Sequence, residues 1–242
     1  MSRIAKITEG AARWCAYYRA NPHRFAKDYL HLNLHLFQKI LIIMMNWSST
    51  TAFIGSRGIG KSYLSAVFCV IRCILYPGTK ICIASGTRGQ SINVLEKIML
   101  ELKPASPELA AEIDEKQTKI NGTNLRKFLT QKRMPRYEEL TKEERKKEYA
   151  KEKNKTMYLS SAYFVDHWSY LKCTDTCQFM LNDTKHQFVC GLPYQLSIAE
   201  GLLDAETVAD EMAETDFNEI KFQMEYEALW YGNTDGSFFD YN

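Results

Sequence analysis

No stretch of this chain is apolar for long enough to cross a bilayer: the longest runs, Ile40 to Met45 and Leu64 to Leu75, are too short, and Arg72 interrupts the second. The amino-terminal segment MSRIAKITEGAARW lacks the apolar core of a signal peptide, which predicts a cytosolic protein. Seven cysteines are present, but not in the short, loop-rich framework that disulfides need, and this agrees with that compartment. Net charge is almost absent too. With 31 Lys and Arg against 29 Asp and Glu the balance is +2, so nucleic-acid binding cannot be read from global charge and must come from local patches. Internal repeats and low-complexity linkers are also missing. What is there is a chain of 242 residues, 45% hydrophobic and 12% aromatic, long enough for one sizeable α/β core with appendages.

Along the chain, Ile4, Ile7, Ala11, Trp14 and Tyr18 recur at helical spacing, Asn21-Pro22 breaks the pattern, and a second helical stretch is expected from Phe25 through Trp47. Thr50 to Ile54 reads as a strand. YLSAVFCVIRCILY, from Tyr63, is apolar nearly all round and suits a helix buried against a sheet, ended by Pro77-Gly78. Lys80 to Ser85 reads as a second strand, completing a crossover unit that implies a parallel sheet. Helices are expected over 90–102 and Glu108 to Lys116, with a turn at Pro104 to Pro107. Lys119 to Asn124 opens like a hairpin whose second strand does not follow, and the mixed charges from Lys132 to Lys155 describe a solvated helix and turn. Thr156 to Ser161 and Gln187 to Cys190 are the remaining strands. Tyr163 to Leu171 and Cys177 to Leu181 read as pieces of one or two helices, and Asp204 to Tyr231 as an acidic, aromatic helical tail.

The octapeptide GSRGIGKS, Gly55 to Ser62, fits the phosphate-binding pattern G-x-x-x-x-G-K-[ST], between a strand and a helix as the motif requires. Gly55, Gly58 and Gly60, with Ser56 and Ile59 between them, let consecutive backbone N–H groups face the phosphates, and the helix that follows adds its positive dipole end. Lys61 supplies a cation to the β- and γ-oxygens of ATP, and Ser62 a hydroxyl to Mg²⁺. The plainer alternative is a glycine-rich turn that matches by chance. Arg57 can reach a γ-phosphate from within the loop, or be a surface arginine that tethers it.

Five segments in order, FQKILI (Phe37 to Ile42), TTAFIGSRGIGKS, KICIASGTRGQS (Lys80 to Ser91), YLSSAYF (Tyr158 to Phe164) and FQMEYEALWYGNTDGSFF (Phe222 to Phe239), resemble the ATPase half of the large terminase subunits of tailed phages. An arginine inside the loop is typical of that family. The resemblance implies that Gln38 reads the adenine, that residues 55 to 62 bind the ATP phosphates and Mg²⁺, and that Ser160, Ser161 and Ala162 couple hydrolysis to DNA movement. It also implies double-stranded DNA bound without sequence readout, portal and small-terminase partners, a working homo-oligomeric ring, and the cytoplasm of an infected bacterial host. Small hydroxyl residues at the carboxyl end of a parallel strand agree with a place facing the ligand crevice, and a helix cap leading into Tyr163 is the alternative for Ser160 and Ser161. Arg88, in the Thr87 to Gln90 loop, is either a phosphate contact or, more simply, an exposed arginine beside a helix cap.

The sequence departs from that family where Mg²⁺ and the attacking water are handled. The family keeps an apolar strand ending in Asp-Glu between the KICIAS and SSA strands. Here only Leu109 to Glu115 imitates it, and its composition favours a helix. Val208-Ala209-Asp210-Glu211 comes after the SSA strand, in the wrong order, on an acidic helix. Against the family pattern the sequence jumps at Asn124-Leu125, either by a true deletion or because residues of the protein are missing from this sequence. The family's nuclease domain is expected near Asn242, and no nuclease residues are assigned. Cys173 and Cys177 with His167 and His186 fit no common zinc spacing and read as small buried side chains, as do Cys69 and Cys73.

The expected fold is therefore α/β: a P-loop domain of the additional-strand type with a mostly parallel sheet flanked by helices. A helical segment with the adenine region spans 1–48, the ATPase core 49–200, and a linker towards a nuclease domain 201–242. The expected function is ATP-driven translocation of DNA into a procapsid by Lys61 and Arg57. The alternatives are a non-hydrolysing nucleotide-binding or assembly module and a helicase-like enzyme.

Overall fold

The computed structural model describes residues 3–76, 79–85, 87–114, 119–120, 154–182 and 186–232. In chain order the elements are α1 (Arg3–Ala20), α2 (Pro22–Asp28), α3 (Leu36–Trp47), β1 (Thr50–Gly55), α4 (Lys61–Leu75), α5 (Arg88–Lys97), α6 (Pro107–Glu112), β2 (Ile113–Asp114), β3 (Lys119–Ile120), β4 (Thr156–Ser160), α7 (Trp168–Leu181), β5 (Gln187–Leu192), α8 (Tyr194–Ala199), α9 (Ala205–Ala213) and α10 (Glu219–Glu225). The described residues fall into two units, one drawn from Met1–Ile43 and Ser62–Lys153, the other from Met44–Lys61 and Asn154–Asn242. Among the described residues no helix is long and apolar enough to cross a membrane.

The first unit is helical. Pro22 opens α2 at the position where a missing N–H costs nothing, after the break at Asn21. The helix expected from Phe25 through Trp47 is interrupted over residues 29–35. His31 has φ 57°, and Leu30, Leu32 and Leu34 are buried in alternation, the period of extended chain rather than of a helix. Trp14, Tyr18, Phe25 and Tyr29 form an edge-to-face and stacked ring cluster with centroids 4.7 to 6.0 Å apart. That geometry favours each pair by about 0.5–1.5 kcal/mol beyond its area burial.

Helix α4 is buried from Leu64 through Arg72 and again at Ile74 and Leu75, as its all-round apolar sequence predicts. Arg72, the charge that interrupts the run, lies with its guanidinium 3.5 Å from the Tyr76 ring centre. Arg19 donates to the Leu75 carbonyl from Nε and Nη2, at 2.8 and 2.6 Å, satisfying an orphan acceptor at the helix end.

Three expectations change in this unit. Residues 80–85 form no strand and are mostly exposed; the strands that flank β1 are β4 and β5 instead. The helix expected from Glu108 to Lys116 ends at Glu112. Ile113–Asp114 then pairs antiparallel with Lys119–Ile120, so the partner of the half-hairpin lies upstream of it. The long helix expected over 90–102 is α5 followed by a π turn at Ile98–Leu102. The junction at Asn124-Leu125, the Asn121-Gly122 turn and the charged segment from Lys132 up to residue 153 lie outside the described residues.

The second unit holds a three-stranded, all-parallel sheet in the order β4-β1-β5. Ile54 lies opposite Ser160 and Gly191, and Gly55 opposite Leu192, so the carboxyl ends of all three strands share one edge. Helix α7 packs on β5 and β1. Ala52, Ile54, Ala162 and Cys173 form the core there, with Tyr158, Val189 and Trp230 packed against it. A second cluster joins Val208, Phe222 and Tyr226 to Tyr194, Ile198 and Leu203. The helix expected from Tyr163 begins only at Trp168, capped by His167, whose Nδ1 accepts the Ser169 N–H, and it runs unbroken to Leu181. The capping alternative for Ser160 and Ser161 is thereby removed.

Candidate functional site

Strand β1 delivers the chain to a glycine loop. Gly58 and Gly60 have φ of 82° and 86°, a left-handed conformation that costs a side-chain-bearing residue energy and glycine none. Between them Ile59 is wholly buried. The loop's first N–H groups are already used. Ser56 donates to the Leu192 carbonyl at 2.9 Å and Arg57 to the Glu225 carbonyl at 2.8 Å. The Ile59 N–H closes a turn on the Ser56 carbonyl at 3.4 Å, while the N–H groups of Gly58 and Gly60 have no partner among the described residues. The Ser56 and Ser197 hydroxyls meet at 3.3 Å beneath the loop.

Lys61 starts α4 and turns back under the loop. Its Nζ donates to the carbonyls of Gly55 at 2.6 Å and Ser56 at 2.8 Å. Burial lowers its ammonium from 10.5 to about 8, and the nearby Glu225 carboxylate opposes that shift without overcoming it. The cation is thus held by two neutral carbonyls, beside unpaired N–H groups and at the carboxyl end of a central parallel strand. Such an arrangement can accept an anion: the ammonium and the unpaired N–H groups are donors, and the exchange leaves only the two carbonyls to find water.

Arg57 points its side chain out of the loop, 62% exposed, towards two carboxylates. Its Nη1 lies 3.8 Å from Glu211 Oε1 of α9 and 3.7 Å from Glu225 Oε2 of α10. The Tyr226 hydroxyl donates to Glu211 Oε2 at 3.0 Å, and its oxygen also bonds the Arg57 guanidinium, which is one cause that pushes the arginine up from its ordinary value. Glu211, Glu225 and Tyr226 line an acidic cleft of about 60 Å³ with Glu214, Asp216 and Lys221.

The other expected residues are placed as follows. Ser160 closes β4, one strand away from the end of β1, and Ser161 follows it half-buried; Ala162 is core. Ser62 is the second residue of α4. Gln38 is buried in the other unit, and its Oε1 accepts the His35 N–H at 3.0 Å, the backward half of a capping box at the start of α3. Thr87 caps α5 by accepting the Gln90 N–H, and Arg88 is exposed beside it, as the plainer reading held. Val208 to Glu211 lies on the expected acidic helix, α9. Of the four cysteines expected to be buried, Cys69 and Cys173 are, whereas Cys73 and Cys177 are only partly buried.

Among the described residues no group of three or more His, Cys, Asp and Glu side chains is arranged to hold a metal ion. The sequence reading missed Glu211, Glu225 and Tyr226 as partners of Arg57. They stand more than 150 residues away in the chain. Their only local signal was an acidic helix followed by an aromatic one. Compared with protein-family models, curated proteins and solved structures, the chain matches none.

Proposed function

We propose that this chain works as the ATP-hydrolysing part of a large terminase subunit, driving double-stranded viral DNA into a procapsid. The observation that carries the reading is the hold of the Gly55 and Ser56 carbonyls on the Lys61 ammonium, next to the unpaired N–H groups of Gly58 and Gly60. A phosphate oxygen satisfies all three donors better than two carbonyls satisfy one, so Lys61 exchanges partners when ATP binds. The motif's order, strand then glycine loop then helix, supports a P-loop domain of the additional-strand type. The resemblance carried by five segments supports the packaging role.

In this reading Lys61 holds the β- and γ-oxygens, Arg57 offsets charge on the transferred phosphoryl group, Ser62 gives its hydroxyl to Mg²⁺, and Gln38 reads the adenine. Ser160, Ser161 and Ala162, beside the end of β1, relay the result to DNA. That DNA is held through phosphates without sequence readout, so binding weakens steeply with salt. Portal and small-terminase partners, a homo-oligomeric ring and a host-cytoplasmic setting belong to the same proposal.

A second reading has its own support. The three parallel strands end in Gly55, Ser160 and Leu192, none of them a carboxylate that could hold Mg²⁺ or activate water. A non-hydrolysing nucleotide-binding or assembly module needs none. DNA-stimulated ATP hydrolysis by the wild-type chain, abolished in Lys61→Ala, supports the motor. Nucleotide binding without turnover sinks the motor for this chain and leaves the module. Strand separation on a forked duplex would instead favour a helicase-like enzyme.

A further inference from the structure

We propose that Ser197 of α8 is a positioning residue for the glycine loop: its hydroxyl holds Ser56, the joint between the two peptide planes whose carbonyls grip Lys61, and keeps the loop in shape while the ammonium changes partners. This role rests on the phosphate reading of the loop and belongs to a residue outside the octapeptide.

The Gly55 carbonyl and the Ser56 N–H belong to one peptide plane, the Ser56 carbonyl and the Arg57 N–H to the next. Both carbonyls accept the Lys61 ammonium, at 2.6 and 2.8 Å. Both N–H groups are anchored outside the loop, on the Leu192 carbonyl at 2.9 Å and the Glu225 carbonyl at 2.8 Å. The torsions of Ser56 set the angle between the planes, and with it the aim of two carbonyls at one ammonium. Ser56 is fully buried, and its hydroxyl meets the equally buried Ser197 hydroxyl at 3.3 Å. A buried hydroxyl that loses its partner is left unsatisfied, so this contact resists any turn of the Ser56 side chain.

Helix α8 is itself tied down. The Tyr194 N–H donates to the Tyr226 carbonyl at 2.8 Å, and the Tyr194 ring packs on Phe222 with centroids 5.6 Å apart. The Ser197 carbonyl accepts the N–H groups of Leu202 and Leu203, at 2.8 and 3.3 Å, in the turn that lays Leu203 beside Gly58. One serine thus meets the loop through its side chain and, through its carbonyl, shapes the turn that lies against Gly58. The contact matters most when phosphate arrives. In the empty loop Lys61 ties the two carbonyls together; once it turns to a phosphate that tie is gone, and the outer anchors and Ser197 are left to hold the planes. Loss of the Ser197 hydroxyl therefore costs the loaded loop more than the empty one.

The test is a double-mutant cycle read by isothermal titration calorimetry with inorganic pyrophosphate and with Mg-ATP. Ser197→Ala should weaken binding about three- to tenfold, the range of one neutral hydrogen bond. Ser197→Thr, which keeps the hydroxyl, should bring affinity back to within about twofold of the wild type. In Ser56→Ala the hydroxyl contact is already gone, so adding Ser197→Ala there should change affinity by less than about twofold. An equal loss in both backgrounds overturns the proposal, as do unchanged or tighter binding in Ser197→Ala and failure of Ser197→Thr to restore it. Amide hydrogen exchange in the pyrophosphate-loaded protein separates positioning from plain destabilisation. The Ser56 and Arg57 N–H groups should exchange at least about threefold faster in Ser197→Ala while those of α7 keep wild-type rates, and equal acceleration in both places counts against the role. If the wild type binds neither pyrophosphate nor Mg-ATP, the phosphate reading fails and the role of Ser197 falls with it. Binding that Ser197→Ala leaves untouched removes the role of Ser197 alone.

Discussion

The Lys61 ammonium donates to the carbonyl oxygen of Gly55 at 2.6 Å, six residues back on its own loop, and burial lowers it to about 8. A bound phosphate favours the charged amine, so its affinity should fall as pH rises through about 8. The slope approaches tenfold per pH unit between that value and the higher pKa of the complex. Titration calorimetry with pyrophosphate in buffers of different ionisation heat, between pH 7.5 and 9.5, should detect proton uptake that Lys61→Met lacks.

The same shift has a sign for stability. Folding lowers the Lys61 value from 10.5 to about 8, so between those values the unfolded chain binds more protons and stability rises with pH relative to a chain without this group. Urea denaturation of wild type and Lys61→Met across pH 7.5 to 10.5 checks it. The difference between the two should grow in favour of the wild type as pH rises, and parallel profiles would contradict the burial of this amine.

Gly60→Ala places a Cβ on a backbone with φ 86° and should cost about 1–2 kcal/mol of stability, whereas Gly10→Ala, inside α1 with open space around it, should add about 0.5–1 kcal/mol. Chemical denaturation of the two variants separates loop strain from helix propensity. Equal effects would mean that the loop does not hold its left-handed turn.

Gln38→Ala should destabilise the chain by about 1 kcal/mol, because the buried amide caps α3 by accepting the His35 N–H. Under the terminase reading it should also erase discrimination between ATP and GTP. A denaturation curve and competition binding separate the two roles: a stability loss with unchanged base preference assigns Gln38 to the helix cap alone.

Alkylation at pH 8 should modify the exposed Cys82 first. Burial pushes the Cys69 and Cys190 thiols up to about 12 and Cys173 to about 11, keeping them protonated and slow. Peptide mass spectrometry over a time course ranks them. Early protection of Cys82 would restore the strand expected at 80–85.

Much of the fold was readable because its signals were local. The all-round apolar run of α4, the β-rich approach to Gly55 and the break at Asn21 each depend on near neighbours. Residues 80–85 were misread because β propensity says nothing about which edge is free, and β1 pairs instead with segments more than 100 residues downstream. The stretch over 29–35 was misread because Leu30 and Leu34 stand one helical turn apart, while Leu30, Leu32 and Leu34 together obey a two-residue period. For the site, the loop and Lys61 were legible from spacing. The carboxylates opposite Arg57 were not, since their approach is made by tertiary packing of α9 and α10.

Both flanks of β1 are filled, so the strand that carries the glycine loop has no vacancy in its hydrogen-bond ladder. Any strand added to this sheet by insertion, by a neighbouring chain or by evolution must join at the outer margin of β4 or β5, one strand removed from Gly55. The sheet can therefore widen while the loop's footing stays constant, and Ser160 and Leu192, at the ends of those marginal strands, are where such growth would first be felt.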